Sequence, residues 1–130
     1  MGTDAENLTG IWQGSYAYPY GLSVSFVATL IDSGGSFTGS IHEPCSYRSE
    51  RTIFAMLEGS RDGRTVSFLK RYQNAGPNYA ATVKYRGTLS ADATQIEGRW
   101  TIWKIFSGKF VMIRSAGKAA EVERKQSELV

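Results

Sequence analysis

Cysteine is almost missing from this chain. Cys45 is the only one, so no internal disulfide can staple the fold, and a reducing, cytoplasmic home is the expectation. No stretch approaches the roughly 20 apolar residues of a membrane-spanning helix. The opening MGTDAENL has no apolar core of the kind that marks a secretory leader, and Glu6 stands where a myristoylation signal wants Ser or Thr. There is one histidine, His42, three residues before Cys45. No second cluster completes a metal site with them, and a Cys–His nucleophile pair would lack an orienting group and an oxyanion hole. No metal, cofactor or catalytic residue is therefore expected. DSGGSFTG is glycine-rich, but no Lys-Ser/Thr follows it, so it reads as a hairpin and not as a phosphate loop. The 3.6-residue period of an amphipathic helix is absent throughout residues 9–116.

What is present is a period of two. VSFVATL puts Val24, Phe26, Ala28 and Leu30 on one face, and SFTGSI does the same with Phe37, Gly39 and Ile41. TVSFLKRY groups Val66, Phe68, Lys70 and Tyr72; YAATVKYRGTL groups Ala81, Val83, Tyr85, Gly87 and Leu89. With GIWQGSYAY, TIFAMLEG, QIEGRWTI and KFVMIR, these make eight strands joined by turns. SGGS, residues 33–36, predicts a hairpin with Leu30 opposite Gly39 and Phe26 opposite Glu43. Asp-Gly in RDGR predicts another, with Arg61 opposite Arg64, Leu57 opposite Phe68 and Ala55 opposite Lys70. Short antiparallel connections give an up-and-down meander, and eight half-apolar strands bury their inner face by closing into a barrel. Inward glycines (14, 39, 59, 87 and 98) fit its tight coiling. The expected organisation is a flexible arm over residues 1–8, a barrel over 9–116, and a solvated helical or frayed tail over 117–130, rich in helix formers without a large apolar face.

Gly10 and Trp12 at the start of the first strand, with Arg114 at the end of the last, resemble the calycin superfamily of lipocalins, fatty-acid-binding proteins and avidins. LTGIW, FTGSI, LEGSRDGRTVSF and QIEGRW are most similar to the avidin/streptavidin type, over roughly residues 8–115. The resemblance implies a structural barrel floor, with the Arg114 guanidinium stacked on Trp12. It implies architecture more than ligand: Ile41 and Glu43 stand where biotin binders carry hydroxyls, and their last-strand aspartate is missing, although Trp100 aligns with a ligand-facing tryptophan.

With the floor at Trp12, the irregular loops YPYG, EPCSYRSER, QNAGPN and WKIFSGK gather at the opposite mouth, where sites on barrels sit. Tyr16, Tyr18, Glu43, Lys70, Tyr72, Trp100 and Phe110 are the candidate ligand-binding residues there; Ala81 and Ile102 share that level. Lys70 breaks an apolar face, so it must snorkel to water or pair with Glu43 or a bound anion. Residues 9–117 carry twelve basic and seven acidic residues, which favours an anionic ligand. The expected function is binding of a small apolar or aromatic, anionic molecule. A second reading is a packed, self-associating or protein-binding module, because Val27, Ile31, Phe54, Met56, Leu69, Trp103, Val111 and Ile113 point outward, and a homodimer would cover them. A third is an enzyme using Lys70 and a tyrosine, for which no reaction is indicated. Arg48, Arg51, Arg71, Lys104 and Lys109 near the mouth suit a small anion better than nucleic acid, which is not an expected partner; neither is a membrane. A cavity of about 300 Å³ or more would favour the ligand reading.

Overall fold

A computed structural model describes residues 7–44 and 51–115 of the protein. Eight strands follow one another: β1 (Gly10–Ala17), β2 (Ser23–Ser33), β3 (Ser36–Pro44), β4 (Thr52–Asp62), β5 (Thr65–Gln73), β6 (Val83–Leu89), β7 (Gln95–Ile102) and β8 (Phe106–Arg114). Each pairs antiparallel with the next, and β8 returns beside β1, so the meander closes into a barrel. The period of two is the cause. In β6, Val83, Tyr85, Gly87 and Leu89 are buried while Lys84, Arg86 and Thr88 are exposed, and only closure hides such a face on every strand at once.

The SGGS hairpin has the expected register, with Ser33 opposite Ser36 and Leu30 opposite Gly39; its paired ladder ends at Val27–His42, one step before Phe26–Glu43. The β4–β5 hairpin is slid by two residues from the expected pairing. Asp62 pairs with Thr65, so Gly63 and Arg64 form the turn, Leu57 faces Lys70, and Ala55 faces Tyr72 instead of Lys70. The reason is local: Gly63 has φ 60 and takes the first central position, which suits a type II′ turn. A slide of two preserves which face points inward, so the core assignment survives the change.

Two loops differ from expectation. WKIFSGK is mostly strand, because β8 begins at Phe106, opposite Ile102, leaving a three-residue turn in which Trp103 and Lys104 have φ 54 and 63. After β5, a single 3-10 turn, Pro77–Tyr79, precedes β6; Pro77 at its start has the fixed φ such a turn needs.

The floor is built around Trp12. Arg114 pairs with it across β1–β8, and the guanidinium carbon lies 4.7 Å from the indole centroid. The indole N–H donates to the Leu8 carbonyl at 2.9 Å, and Arg114 donates to the Asn7 carbonyl. Leu8 is fully buried, so the end of the expected N-terminal arm is part of the floor; residues 1–6 lie outside the described residues, as do Cys45, the centre of the 43–51 loop and the expected tail. Asp32 ties the floor together. Its carboxylate accepts from Leu8 N at 2.9 Å, Gly35 N at 2.9 Å and Arg61 Nε at 2.6 Å. Burial alone would raise its pKa, but Arg61 and the two backbone N–H groups outweigh that and hold it below the usual aspartate value.

Candidate functional site

At the opposite end a cup of about 210 Å³ opens between the strand ends. Parity delivers its walls. Tyr16 from β1, Lys70 and Tyr72 from β5, Val83 and Tyr85 from β6, and Trp100 and Ile102 from β7 all line it, joined by Tyr18, Tyr79 and Ala81 from the loops. The rings meet edge to face. Tyr16–Tyr18 centroids are 5.7 Å apart, Tyr18–Trp100 5.7 Å and Tyr72–Tyr79 4.8 Å, while Tyr20 stacks on Tyr18 at 5.3 Å. Trp100 is held by a 2.9 Å hydrogen bond from its indole N–H to the Ala17 carbonyl.

At the base of the cup two opposite charges are buried together. Lys70 is 1% exposed and Glu43 3%, so Lys70 does not snorkel. Its ammonium donates to Glu43 Oε1 at 3.0 Å and to the Tyr72 hydroxyl at 2.7 Å. Tyr16 donates to Glu43 Oε2 at 2.6 Å and Tyr72 to Oε1 at 3.1 Å. The ammonium also lies 4.6 Å from the Tyr16 ring centroid and 4.4 Å from that of Tyr72. A buried ion pair is tolerable only when its remaining donors and acceptors are met, and these hydroxyls and ring faces meet them. Burial pushes the Lys70 ammonium below the ordinary lysine value, against the pull of Glu43. Burial raises the Tyr16 and Tyr72 phenols, reinforced in both by Glu43. The contact with Tyr72 adds to the rise at Tyr16, whereas the hydrogen bond with Tyr16 partly offsets it at Tyr72; burial likewise raises Tyr85. At neutral pH these tyrosines are hydrogen-bond donors and not bases.

Of the candidate residues, Tyr16, Tyr18, Lys70, Tyr72 and Trp100 line the cup together, and Glu43 lies behind Lys70, outside the lining. Phe110 does not reach it: it is core, 4.9 Å from Tyr85 and 6.1 Å from Phe68 between ring centroids. Tyr79, Val83 and Tyr85 were not among the candidates. Tyr85 and Val83 carry the inward parity of β6, so their signal is in the alternation, whereas Tyr79 stands on the 3-10 turn before β6, where alternation gives no signal. His42 is half-buried on the outside, edge-on to Phe54 at 4.4 Å, and no group of three metal-ligating side chains occurs among the described residues.

No family model matches the chain, and no curated protein matches it. Solved structures do. A redesigned β-barrel is 17% identical with a TM-score of 0.72, covering 88% of this chain and 96% of its own. The redesigned barrel mFAP1, bound to DFHBI, is 16% identical with a TM-score of 0.69, covering 86% and 99%. A de novo fluorescence-activating β-barrel is 13% identical with a TM-score of 0.63, covering 88% and 99%. At these identities the chain is similar to them in fold: an eight-stranded, closed, antiparallel, up-and-down barrel.

Proposed function

We propose that the mouth of this barrel binds a small, flat, aromatic or apolar molecule that presents an anionic or hydrogen-bond-accepting group to Lys70. The observation that carries this reading is the placement of the ion pair. Lys70 is among the residues that line the cup and its partner Glu43 is not, which supports a cationic character for the ligand space. The Tyr16 and Tyr72 hydroxyls, whose protons go to Glu43, hold the charged pair in place, and the edge-to-face rings supply apolar contact. A barrel of the same fold bound to DFHBI supports a small-molecule role for this barrel. The cup is smaller than the roughly 300 Å³ expected of a drug-sized site, so the ligand is compact or protrudes from the mouth. Kinship with calycins belongs to the same proposal and is supported by the Trp12–Arg114 stack.

The test is a thermal-shift screen of DFHBI and of small carboxylates, phosphates and phenolates. It compares the natural protein with the double variant Lys70→Met/Glu43→Gln. Both positions must change, because removing Lys70 alone strands a buried carboxylate, at a cost of about 3–5 kcal/mol. Loss of a partly desolvated charged contact is worth about 1.5–3 kcal/mol, or roughly ten- to a hundred-fold in affinity. Equal binding to both proteins would sink the anionic part of the proposal.

The limited cup volume favours a second reading, a packed barrel that associates through its wall. Phe54 and Met56 on β4 and Val27 on β2 are exposed, with β3 between the two strands and His42 in the row from Val27 to Phe54. A homodimer covering them would bury more than about 1,000 Å². Sedimentation at high micromolar concentration should show a dimer that Met56→Lys dissociates; a strict monomer removes this reading.

A further inference from the structure

The outer wall carries a second, larger concavity, and its charge pattern is explained by nothing at the mouth. The cross-strand register aligns Ser33, Ser36, Ser60 and Ser67 opposite one another in succession. The same row continues directly through Arg86, Arg99 and Lys109. The serines, Arg86 and Arg99, together with Lys84 and Lys104, line a groove of about 1000 Å³. Like charges placed directly opposite each other destabilise a sheet, yet here three cations follow one another across β6, β7 and β8. Among the described residues no carboxylate pairs with them. The groove's one acidic residue, Glu58, is already engaged by Arg71 at 2.8 Å. Among the described residues, Arg99 donates to the Ser107 hydroxyl at 3.2 Å.

From this row we infer that the outer groove binds a linear phosphate chain. Strands lie about 4.8 Å apart, so the three cations of the row span about 10 Å, Arg86 and Arg99 within the groove and Lys109 just beyond its lining, and the serine hydroxyls prolong the track. Guanidinium groups and hydroxyls are the side chains that contact phosphate oxygens without reading sequence. The rings at the base of the groove, Phe37, Phe68 and Tyr85, are buried and offer no face on which a base could stack. The recognised feature is therefore the phosphate track itself, and the occupant it fits is an inorganic polyphosphate, which presents that track without bases; a single-stranded nucleic-acid backbone is the comparison in the test. The groove shares only Tyr85 with the cup, and the inference does not depend on what the cup binds.

The probes are fluorescently labelled inorganic polyphosphate and a labelled oligodeoxythymidylate, titrated by anisotropy at 50 and 200 mM salt. Four or so neutralised phosphates give a log–log salt slope of about −3, or about a 60-fold loss of affinity over that range. Arg86→Ser/Arg99→Ser should weaken binding at 50 mM at least tenfold and flatten the slope. Both side chains are exposed, so folding is expected to persist and is checked by circular dichroism. The control Arg51→Ser/Arg64→Ser removes the same charge outside the groove and should have little effect. Binding of polyphosphate with or without the oligonucleotide supports the inference and identifies the source of the phosphates. Three results overturn it: no binding of either probe at 50 mM, equal weakening by the groove and control variants, or binding of the oligonucleotide alone.

Discussion

At the residue scale, Trp12 and the Glu43–Lys70 pair hold the two ends of the barrel by different physics. Trp12 is fully buried, stacked on Arg114 and hydrogen-bonded to Leu8, so it combines area, a cation–π contact and a satisfied indole. Trp12→Ala should destabilise by about 3–5 kcal/mol in a denaturant titration, with Arg114→Ala smaller but measurable. A Trp12→Ala midpoint within error of the natural protein would refute the floor. Glu43 and Lys70 contribute specificity of arrangement more than stability, since their desolvation offsets their attraction.

At the element scale, the barrel's curvature depends on places where two strands come too close for a Cβ. Gly98 on β7 pairs with Gly87 on β6, and a Cβ at Gly98 would fall 2.0 Å from the Arg86 carbonyl oxygen. That atom is backbone, so relief means moving β6 itself. Gly98→Ala should cost at least about 1–3 kcal/mol, as overpacking does, and should loosen the β6–β7 ladder. Amide hydrogen exchange faster at Gly87 and Arg99 than at β2 and β3 amides is the expected signature. An unchanged exchange pattern would show that the strands part without consequence.

For the whole molecule, the burial of several phenols makes alkaline stability a direct readout of the fold. Tyr16, Tyr72 and Tyr85 all have folded pKa values raised above the ordinary 10.0. Below pH 10 both states keep these protons. Above it the unfolded chain releases them and the folded chain does not, so stability falls by about 1.4 kcal/mol per pH unit for each tyrosine. Lys70 acts oppositely. Its folded value is lowered, so it raises stability with pH until the unfolded lysine also titrates near 10.5. One group opposes three, and only in that lower window. The denaturation midpoint should therefore drop steeply above about pH 10.5, together with a cooperative rise in tyrosinate absorbance. A flat midpoint from pH 9 to 11.5 would mean that the phenols are not sealed.

The period of two along the strands was enough to specify the barrel. It set which residues face inward and that Trp12 and Arg114 share one end, because side-chain parity and antiparallel closure are properties of the chain's own alternation; that this end is the floor is what the calycin resemblance implied. It also collected most of the cup: Tyr16, Tyr18, Tyr72 and Trp100 were legible by parity and level. The contacts that depend on distance across the barrel were not legible. Phe110 shares the inward parity but sits too deep to reach the cup, and Tyr79 reaches it only because the Pro77–Tyr79 turn folds over the mouth. The choice of Glu43 as the partner of Lys70 turned on the coil of β3 against β5, strands that do not pair with each other. The row of serines and cations on the outer wall joins residues from seven strands, and its alignment rests on the six registers from β2 to β8 at once. A two-residue slide such as the one at Gly63–Arg64 leaves inside and outside unchanged but decides which outward side chains stand side by side.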